Sequence, residues 1–329
     1  MQFVELKRRQ FISLLGTAAA WPLVARAQQP RIPRVGFLYP GPTIAAAPRI
    51  GAFLEGLRAA GYNSPDQLEL IPRVADGDLS QLAPMARELI DKNIDVLAAV
   101  ATSAANVARA TTTTVPIVAM DLETDAVATG MIASLAHPGG NLTGVFFDFP
   151  YFRTKLLELL KEVIPNLSKV AVLWDPSVGP AQLKEFESAA DALKLILLKL
   201  EVRNISEMNQ AFAAAKHADV DAVILLSSPF IGGNTKLAAD LMLKYGLPAV
   251  TLFSEFAVNG GLMSYGPILL DIYRRLGALA AKVLHGSNPA NLPVELPTNF
   301  ELVVNLKTAK SIGITMPTSV LLRADLVIE

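Results

Sequence analysis

The stretch "IDVLAAVATSAANVARATTTTVPIVAMD" (residues 94–121) sets the reading of the whole chain. It opens on an apolar run, 94–102, passes through small residues with helical character from about Ser103, and closes on a second apolar run, 115–121. Short runs this uniformly apolar fit strands buried on both faces. Two of them joined by a helix call for a parallel sheet with a crossover between neighbours.

The same rhythm extends outward. "RVGFLYP" (34–40) reads as an earlier buried strand, followed by a helix with Ile50, Phe53, Leu54 and Leu57 on one face and Gly61 at its C-terminal end. "LELIPRV" (68–74) is another strand, and the helix after it carries Leu82, Met85, Ala86, Leu89 and Ile90 on one side. The pattern then restarts. Strands are predicted at 169–175, 195–202, 221–228 and 247–253, with helices between them presenting Leu183, Phe186, Ala190 and Leu193, then Met208, Ala211, Phe212 and Ala215, then Leu237, Leu241, Met242 and Tyr245. Each half closes on a similar phrase, "GGNLTGVFF" (139–147) and "GGLMSYG" (260–266), that leads into a long helix. These are read as the points where the chain leaves one lobe for the other. The expected architecture is two Rossmann-like α/β lobes with a hinge and a central cleft. Residues 28–145 plus 266–288 form one lobe, and 146–265 plus 289–329 the other.

Open parallel sheets hold ligands beyond the carboxyl ends of their strands. In the first lobe those ends carry Tyr39, Thr102, Ser103 and Asp121; in the second they carry Trp174, Asp175, Ser227, Ser228, Phe230 and Phe253. Aromatic walls with a few fixed polar groups describe a small-molecule pocket. Thr102 and Ser103 open a helix whose free N–H groups suit an anion, and Asp121 suits an ammonium group. Hinge closure would wrap the ligand from both sides.

Catalytic chemistry is not legible. His137, His217 and His285 are far apart and lack ligand spacing. In "GLMSYG" (261–266) Ser264 is one place too far along for a G-x-S-x-G nucleophile elbow. No Walker-type or G-x-G-x-x-G run follows a strand, so no cofactor is expected. "MDLETD" (120–125) gathers Asp121, Glu123 and Asp125 without the spacing or glycine of a calcium loop, and no metal is expected there.

The N-terminal text supplies an address. Arg8-Arg9-Gln10-Phe11-Ile12 is similar to the twin-arginine export motif. The charge-free run Phe11–Val24 has 14 residues, short of the roughly 20 that span a bilayer. Ala25-Arg26-Ala27 then gives a peptidase pattern. Residues 1–27 are therefore expected to be a cleaved signal, with Gln28 as the mature N-terminus in the periplasm. Its loss removes Lys7, Arg8, Arg9, Arg26 and Glu5, which takes the net charge from −1 to −4. A mildly acidic chain lacks the basic face that nucleic acid requires. There is no cysteine, hence no disulfide framework, thiolate metal site, thiol nucleophile or lipidated N-terminal cysteine.

Three phrases carry a resemblance: "GGLMSYGP" (260–267), "LPVELPTNFELVVNLKTAKSIGI" (292–314) and "LLRADLVIE" (321–329), supported by "LAHPGGNLTGV" (135–145) and "AWPLVARAQQP" (20–30). Over essentially its whole length the chain resembles the substrate-binding proteins of ATP-binding-cassette importers, in the group that includes tryptophan- and aromatic-ligand-binding members. The resemblance implies a type I periplasmic-binding fold with three crossings, a small-molecule solute, membrane permease subunits as partners and, we expect, a monomer. The chain departs from the family pattern at "ATSAAN" (101–106), which lacks a proline, and at "DLETDAV" (121–127), where Ala126 replaces one. Which of Asp121, Glu123 and Asp125 faces the cleft stays open at this level. A periplasmic sensing subunit would use the same sequence, an enzyme would need a catalytic set in the cleft, and a repressor of this fold would need a DNA-reading domain at its N-terminus. Mass spectrometry of the protein recovered from a bacterial periplasm should show a chain beginning at Gln28; retention of residues 1–27 in the exported form would refute the cleaved signal.

Overall fold

The structure, a computed structural model, describes residues 31–147 and 152–329; the expected signal, 1–27, lies outside them. Its first sheet is built from β1 (Arg34–Tyr39), α1 (Thr43–Ala59), β2 (Glu69–Val74), α2 (Leu82–Asp91), β3 (Val96–Val100), α3 (Ala101–Thr111), β4 (Ile117–Asp121) and β5 (Leu142–Phe146). The five strands run parallel in the order β2-β1-β3-β4-β5. β3, β4 and β5 are buried at every position, which is why their sequences are uniformly apolar instead of alternating.

The second lobe contains α4 (Phe152–Val163), β6 (Lys169–Trp174), α5 (Ala181–Leu193), β7 (Ile196–Glu201), α6 (Ile205–His217), β8 (Ala222–Leu225), α7 (Pro229–Gly233), α8 (Thr235–Tyr245), β9 (Ala249–Thr251), α9 (Ser254–Val258) and β10 (Met263–Pro267). The chain then forms α10 (Leu269–Leu284) and returns as β11 (Phe300–Asn305), α11 (Leu306–Ser311), α12 (Thr318–Leu321) and β12 (Leu326–Ile328). The sheet order is β12-β11-β10-β9-β8-β6-β7, with β11 antiparallel to β10 and the other pairs parallel.

α10 belongs to the first lobe. Its face of Leu269, Ile272, Tyr273, Leu276, Leu279, Ala280 and Val283 is buried at helical spacing. It crosses α1 almost backbone to backbone: a Cβ on Gly56 would lie 1.9 Å from the Arg274 carbonyl oxygen, and one on Gly277 would lie 2.1 Å from that of Phe53. Beneath this crossing Phe37 meets Phe53 edge-on at 5.3 Å and Tyr273 at 6.4 Å.

The return to the second lobe falls later than the sequence reading places it. The segment 289–295, assigned there to the second lobe, lies along β5 in the first. The Thr143 hydroxyl donates to the Leu292 carbonyl (2.8 Å), Glu295 N–H to Gly144 O (2.9 Å) and Phe146 N–H to Glu295 O (3.0 Å). Val294 is buried in the apolar cluster on that side. Prolines at 293 and 297 disguise this extra edge strand, because proline reads as a strand breaker. The crossing therefore runs between Glu295 and Phe300, and the one before it is centred on Ile268, not Gly266. The two are tied where Ile268 N–H donates to Asn299 O at 3.0 Å. Phe300 stacks near Phe147 (5.8 Å) and Tyr265 (6.2 Å), so aromatic rings gather where the crossings meet.

The α1–α10 crossing yields a paired test. Gly56→Ala should lower unfolding free energy by about 1–3 kcal/mol, because backbone cannot yield as a side chain does. Gly51→Ala, on the same helix with nothing within 4 Å of the added carbon, should raise it by up to about 1 kcal/mol. Urea titration of both variants checks the sign of each.

Candidate functional site

Both sheets reverse their order of growth, at β1/β3 and at β6/β8, and the loops beyond the carboxyl ends of these strands build a cleft between the lobes. Tyr39, Arg49, Val100, Ala101, Met120, Leu122, Glu123 and Tyr273 line it from the first lobe, with Leu269 beside them. Ser227, Ser228, Pro229, Gly232 and Phe253 line it from the second. The cavity is narrow, about 30 Å³, room for little more than one or two waters. Contacts between the lobes close it. The Ser227 hydroxyl donates to Glu123 Oε1 at 3.0 Å, Arg49 Nη2 stands 3.7 Å from Glu255 Oε1, and Gly233 packs so tightly on Pro42 that a Cβ there would come within 2.2 Å of the ring.

The acidic text after β4 divides its labour. Asp121 is fully buried. Its Oδ1 accepts from the Thr102 hydroxyl (2.7 Å), Glu123 N–H (2.8 Å) and Thr124 N–H (3.1 Å), and its Oδ2 from the Thr124 hydroxyl (2.5 Å). It folds its own loop and does not line the cavity. Asp125 also serves its local turn, accepting from Val127 and Ala128 N–H at 2.9 Å. Glu123 faces the cleft. Its Oε2 receives longer bonds from Thr102 N–H (3.4 Å), the Thr102 hydroxyl (3.3 Å) and Leu122 N–H (3.3 Å). Burial, reinforced by the neighbouring charge of Asp121, pushes the Glu123 carboxyl up to about 8.

α3 begins at Ala101, a non-glycine residue held at φ 69° beside the cavity. The anion-binding end expected of Thr102 and Ser103 is thus turned toward a carboxylate of the chain itself. Thr102 is committed to Asp121 and Glu123, while the Ser103 hydroxyl is buried with no hydrogen-bond partner.

On the facing wall, Ser227 is held by Gln182. The amide nitrogen of Gln182 donates to Ser227 O (2.7 Å), and Ser227 N–H donates to Gln182 Oε1 (3.1 Å). Ser228 caps α7 by accepting from Ile231 N–H at 3.0 Å while still bordering the cavity. Phe253 lines the cavity and is the N-cap residue of α9. Trp174 and Phe230 pack against the core and do not line the cavity, and Asp175 accepts from Ser177 N–H at 2.9 Å to start a 3-10 turn. Of the ten residues expected on sequence, Tyr39, Ser227, Ser228 and Phe253 therefore meet around the cavity; Thr102 and Asp121 stand behind it.

Arg49, Glu123 and Tyr273 were not among them. Arg49 is a buried cation on the stripe Ala45, Ala46, Arg49, Ala52, Phe53 of α1. A charge on an apolar stripe is the signal that could have found it. Its Nη1 donates to Ala45 O (2.7 Å), it hydrogen-bonds Tyr273, and its guanidinium lies 5.9 Å from the Tyr39 ring centre. Burial alone would lower its proton affinity, but Tyr273, Tyr39 and Glu255 outweigh that and raise it. Burial lifts both phenols, Tyr39 and Tyr273, partly offset by Arg49. The cleft is thus an aromatic slot with a fixed cation and a proton-bearing acid. Among the described residues no group of three His, Asp or Glu is placed to hold a metal, and no helix is long and apolar enough to cross a membrane.

Known proteins share this fold. Residues 44–328 match the family described as ABC transporter substrate binding protein. A tyrosine-binding protein of Clostridioides difficile (strain R20291) is 24% identical over 262 residues, 79% of this chain and 75% of that one. An ABC domain in complex with L-Trp from Streptococcus pneumonia is 25% identical with a TM-score of 0.82, covering 90% of this chain and 99% of its own. A conserved domain protein from Vibrio cholerae gives 24% and 0.83, over 90% and 100% of the two chains. The fold is the type I periplasmic-binding fold, two α/β lobes about a cleft.

Removing the loop's organiser should be costly. Asp121→Ala strands buried donors on Thr102, Glu123 and Thr124, so urea titration should show a loss of at least about 2 kcal/mol. Asp125→Ala, on the exposed turn, should change stability by less than about 1 kcal/mol.

Proposed function

The chain belongs to the family of ABC transporter substrate-binding proteins, and on that premise we propose that it works in the periplasm, capturing an amino acid with an aromatic or large apolar side chain and presenting it to a membrane permease. The observation that carries this reading is a buried arginine between two tyrosines in the cleft: Arg49 beside Tyr39 and Tyr273. A guanidinium presents a planar fork of donors matched to a carboxylate. Its 3.7 Å pairing with Glu255 is loose, and Glu255 Oε2 is buried without a partner, so a ligand carboxylate can take the closer place. Tyr39, Tyr273, Phe253, Met120 and Leu122 supply the apolar walls. The tyrosine-binding relative and the L-Trp complex support a ligand of this kind.

Binding proceeds by opening and reclosure. The cavity of about 30 Å³ is far smaller than the roughly 300 Å³ or more of small-molecule pockets. The lobes must part at Ile268 and at 296–299 before a ligand enters. Only the closed arrangement touches the ligand from both sides, so binding shifts the population toward it. No bond in the ligand is broken; Arg49 anchors, the rings cover, and Ser227 and Ser228 complete the far wall.

A thermal-shift screen over L-tyrosine, L-tryptophan, L-phenylalanine, branched amino acids and sugars tests the reading. Aromatic or large apolar amino acids should raise Tm, since a ligand at 100 times its Kd adds about 2.7 kcal/mol, and mass spectrometry should recover them unchanged. Arg49→Met should weaken their binding at least about tenfold, the loss of one charge-assisted carboxylate contact. Stabilisation by sugars alone, or conversion of a ligand, would overturn the proposal.

A further inference from the structure

Glu123 on the cleft wall and Asp121 just behind it put two buried carboxyl groups side by side, and among the described residues neither pairs with a lysine or arginine. Their shares of the available donors are unequal. Asp121 holds four bonds of 2.5–3.1 Å from its own loop and Thr102. Glu123 has three bonds of 3.3–3.4 Å, one good one, at 3.0 Å, from Ser227 of the opposite lobe, and a side-chain bond to the Asp121 carboxyl itself. Like charges this close and this buried cannot both stay ionised. Of the two, Glu123 is the one that holds the proton.

We propose that Glu123 selects the cargo by exchange: in the closed form without cargo its carboxyl keeps a proton and is tied across the seam to Ser227, and a ligand's ammonium group takes the place of that proton. Binding then forms an ion pair between the ligand ammonium and the Glu123 carboxylate, and the proton leaves to solvent. The assignment rests on the amino-acid reading above and adds its polar specificity. A neutral or anionic head group leaves Glu123 protonated and gains nothing from it; an ammonium supplies the countercharge the site lacks. Arg49 takes the other end of a zwitterion.

The exchange makes closure depend on acidity. The charged and titratable groups around Glu123 are Asp121 at the end of β4 and, sharing its cavity, Tyr273 from α10, Tyr39 at the end of β1 and Arg49 from α1, with Glu255 of α9 beyond Arg49. The tyrosines stay neutral and Arg49 stays charged across the range of interest. Opening removes the part of the burial that the second lobe supplies while Asp121 stays beside Glu123, so the carboxyl falls below the value of about 8 that it has in the closed form. Closing therefore takes up a proton between the open and closed values. Closure without cargo is unpenalised at acid pH, weakens as pH rises toward 8, and levels off above.

The chain has no cysteine, so one dye site per lobe, at Asp66→Cys and Lys216→Cys, reports the lobe separation. Protein freed of bound cargo by unfolding and refolding is followed from pH 5 to 9. The closed-to-open ratio should fall by up to about tenfold per pH unit between 5 and 8, the slope of one proton, and then flatten. Glu123→Gln, which keeps an acceptor for Ser227 but has no proton to lose, should be flat throughout. Ser227→Ala should be more open at every pH. A wild-type separation indifferent to pH, or a Gln variant that follows the wild type, overturns the proposal. In a second arm, calorimetry at pH 7 with L-tyrosine or L-tryptophan in two buffers of different ionisation heat should show the wild type releasing a fraction of a proton equal to the closed fraction that the dyes report at that pH, and Glu123→Gln releasing none. The deaminated acids of the same rings should bind at least tenfold more weakly. Binding without proton release at a pH where the dyes report the free protein closed overturns the exchange. If no amino acid binds while the pH response persists, the ligand reading falls and the proton-held seam stands.

Discussion

Asp121 takes no part in solvent, and the site depends on that fact. Its two oxygens accept from Thr102, Glu123 and Thr124, which fixes the turn after β4 and the start of α3 against each other. A buried carboxylate is tolerable only when its lone pairs are filled by donors held in place. Here the donors come from the loop that Asp121 itself shapes. The consequence falls on the next acid along: with Asp121 satisfied by its own loop, burial and the neighbouring Asp121 raise the Glu123 carboxyl, which is aimed at the facing lobe. One saturated carboxylate thus sets both the geometry and the polarity of the cleft floor.

That division explains what the sequence could and could not disclose. The lobes were legible because buried parallel strands are written as unbroken apolar runs, and the places where those runs stop are the places where the cleft lies. Tyr39, Ser227, Ser228 and Phe253 were found by that rule alone. The rule says which loop faces the cleft, but not which residue of the loop. In "MDLETD" three acids lie within five residues, and only the hydrogen-bond partners separate the loop former Asp121, the cleft-facing Glu123 and the exposed turn residue Asp125. The same limit applies to Trp174 and Phe230, which stand at strand ends yet turn their rings into the core.

Arg49 and Tyr273 were hidden for another reason. Both sit on helices, where strand-end logic does not look. Tyr273 reads as one more large residue in the buried face of α10, and its hydroxyl gains meaning only once the α1–α10 crossing brings Arg49 against it. That crossing is made possible by Gly56 and Gly277, whose missing side chains let the two backbones meet. The aromatic slot is therefore a product of helix packing far from any recognisable ligand motif. Likewise the late return of the chain to the second lobe turns on Glu295, whose carboxylate takes Arg275 (2.9 Å) and Lys282 (3.1 Å) from α10 and so binds the segment before β11 to the first lobe.

Arg275 extends this grip beyond Glu295. Its Nη1 donates to Leu296 O (2.9 Å) and to the Thr298 hydroxyl (3.2 Å), both within the crossing itself. The third strand of the hinge is thus anchored at its first-lobe end by charge-assisted bonds and covered at its second-lobe end by Phe147, Tyr265 and Phe300. A hinge held firmly at both ends bends over a few residues instead of fraying, so the freedom to open lies in 296–299 and near Ile268. Such a hinge does little to favour one lobe separation over another. The preference must come from the cleft, where a hydroxyl on Glu123, a distant ion pair at Arg49 and a glycine against a proline join the lobes. Contacts of this kind are readily exchanged for those of a ligand, and a weak seam over a sound hinge is what capture and release both require.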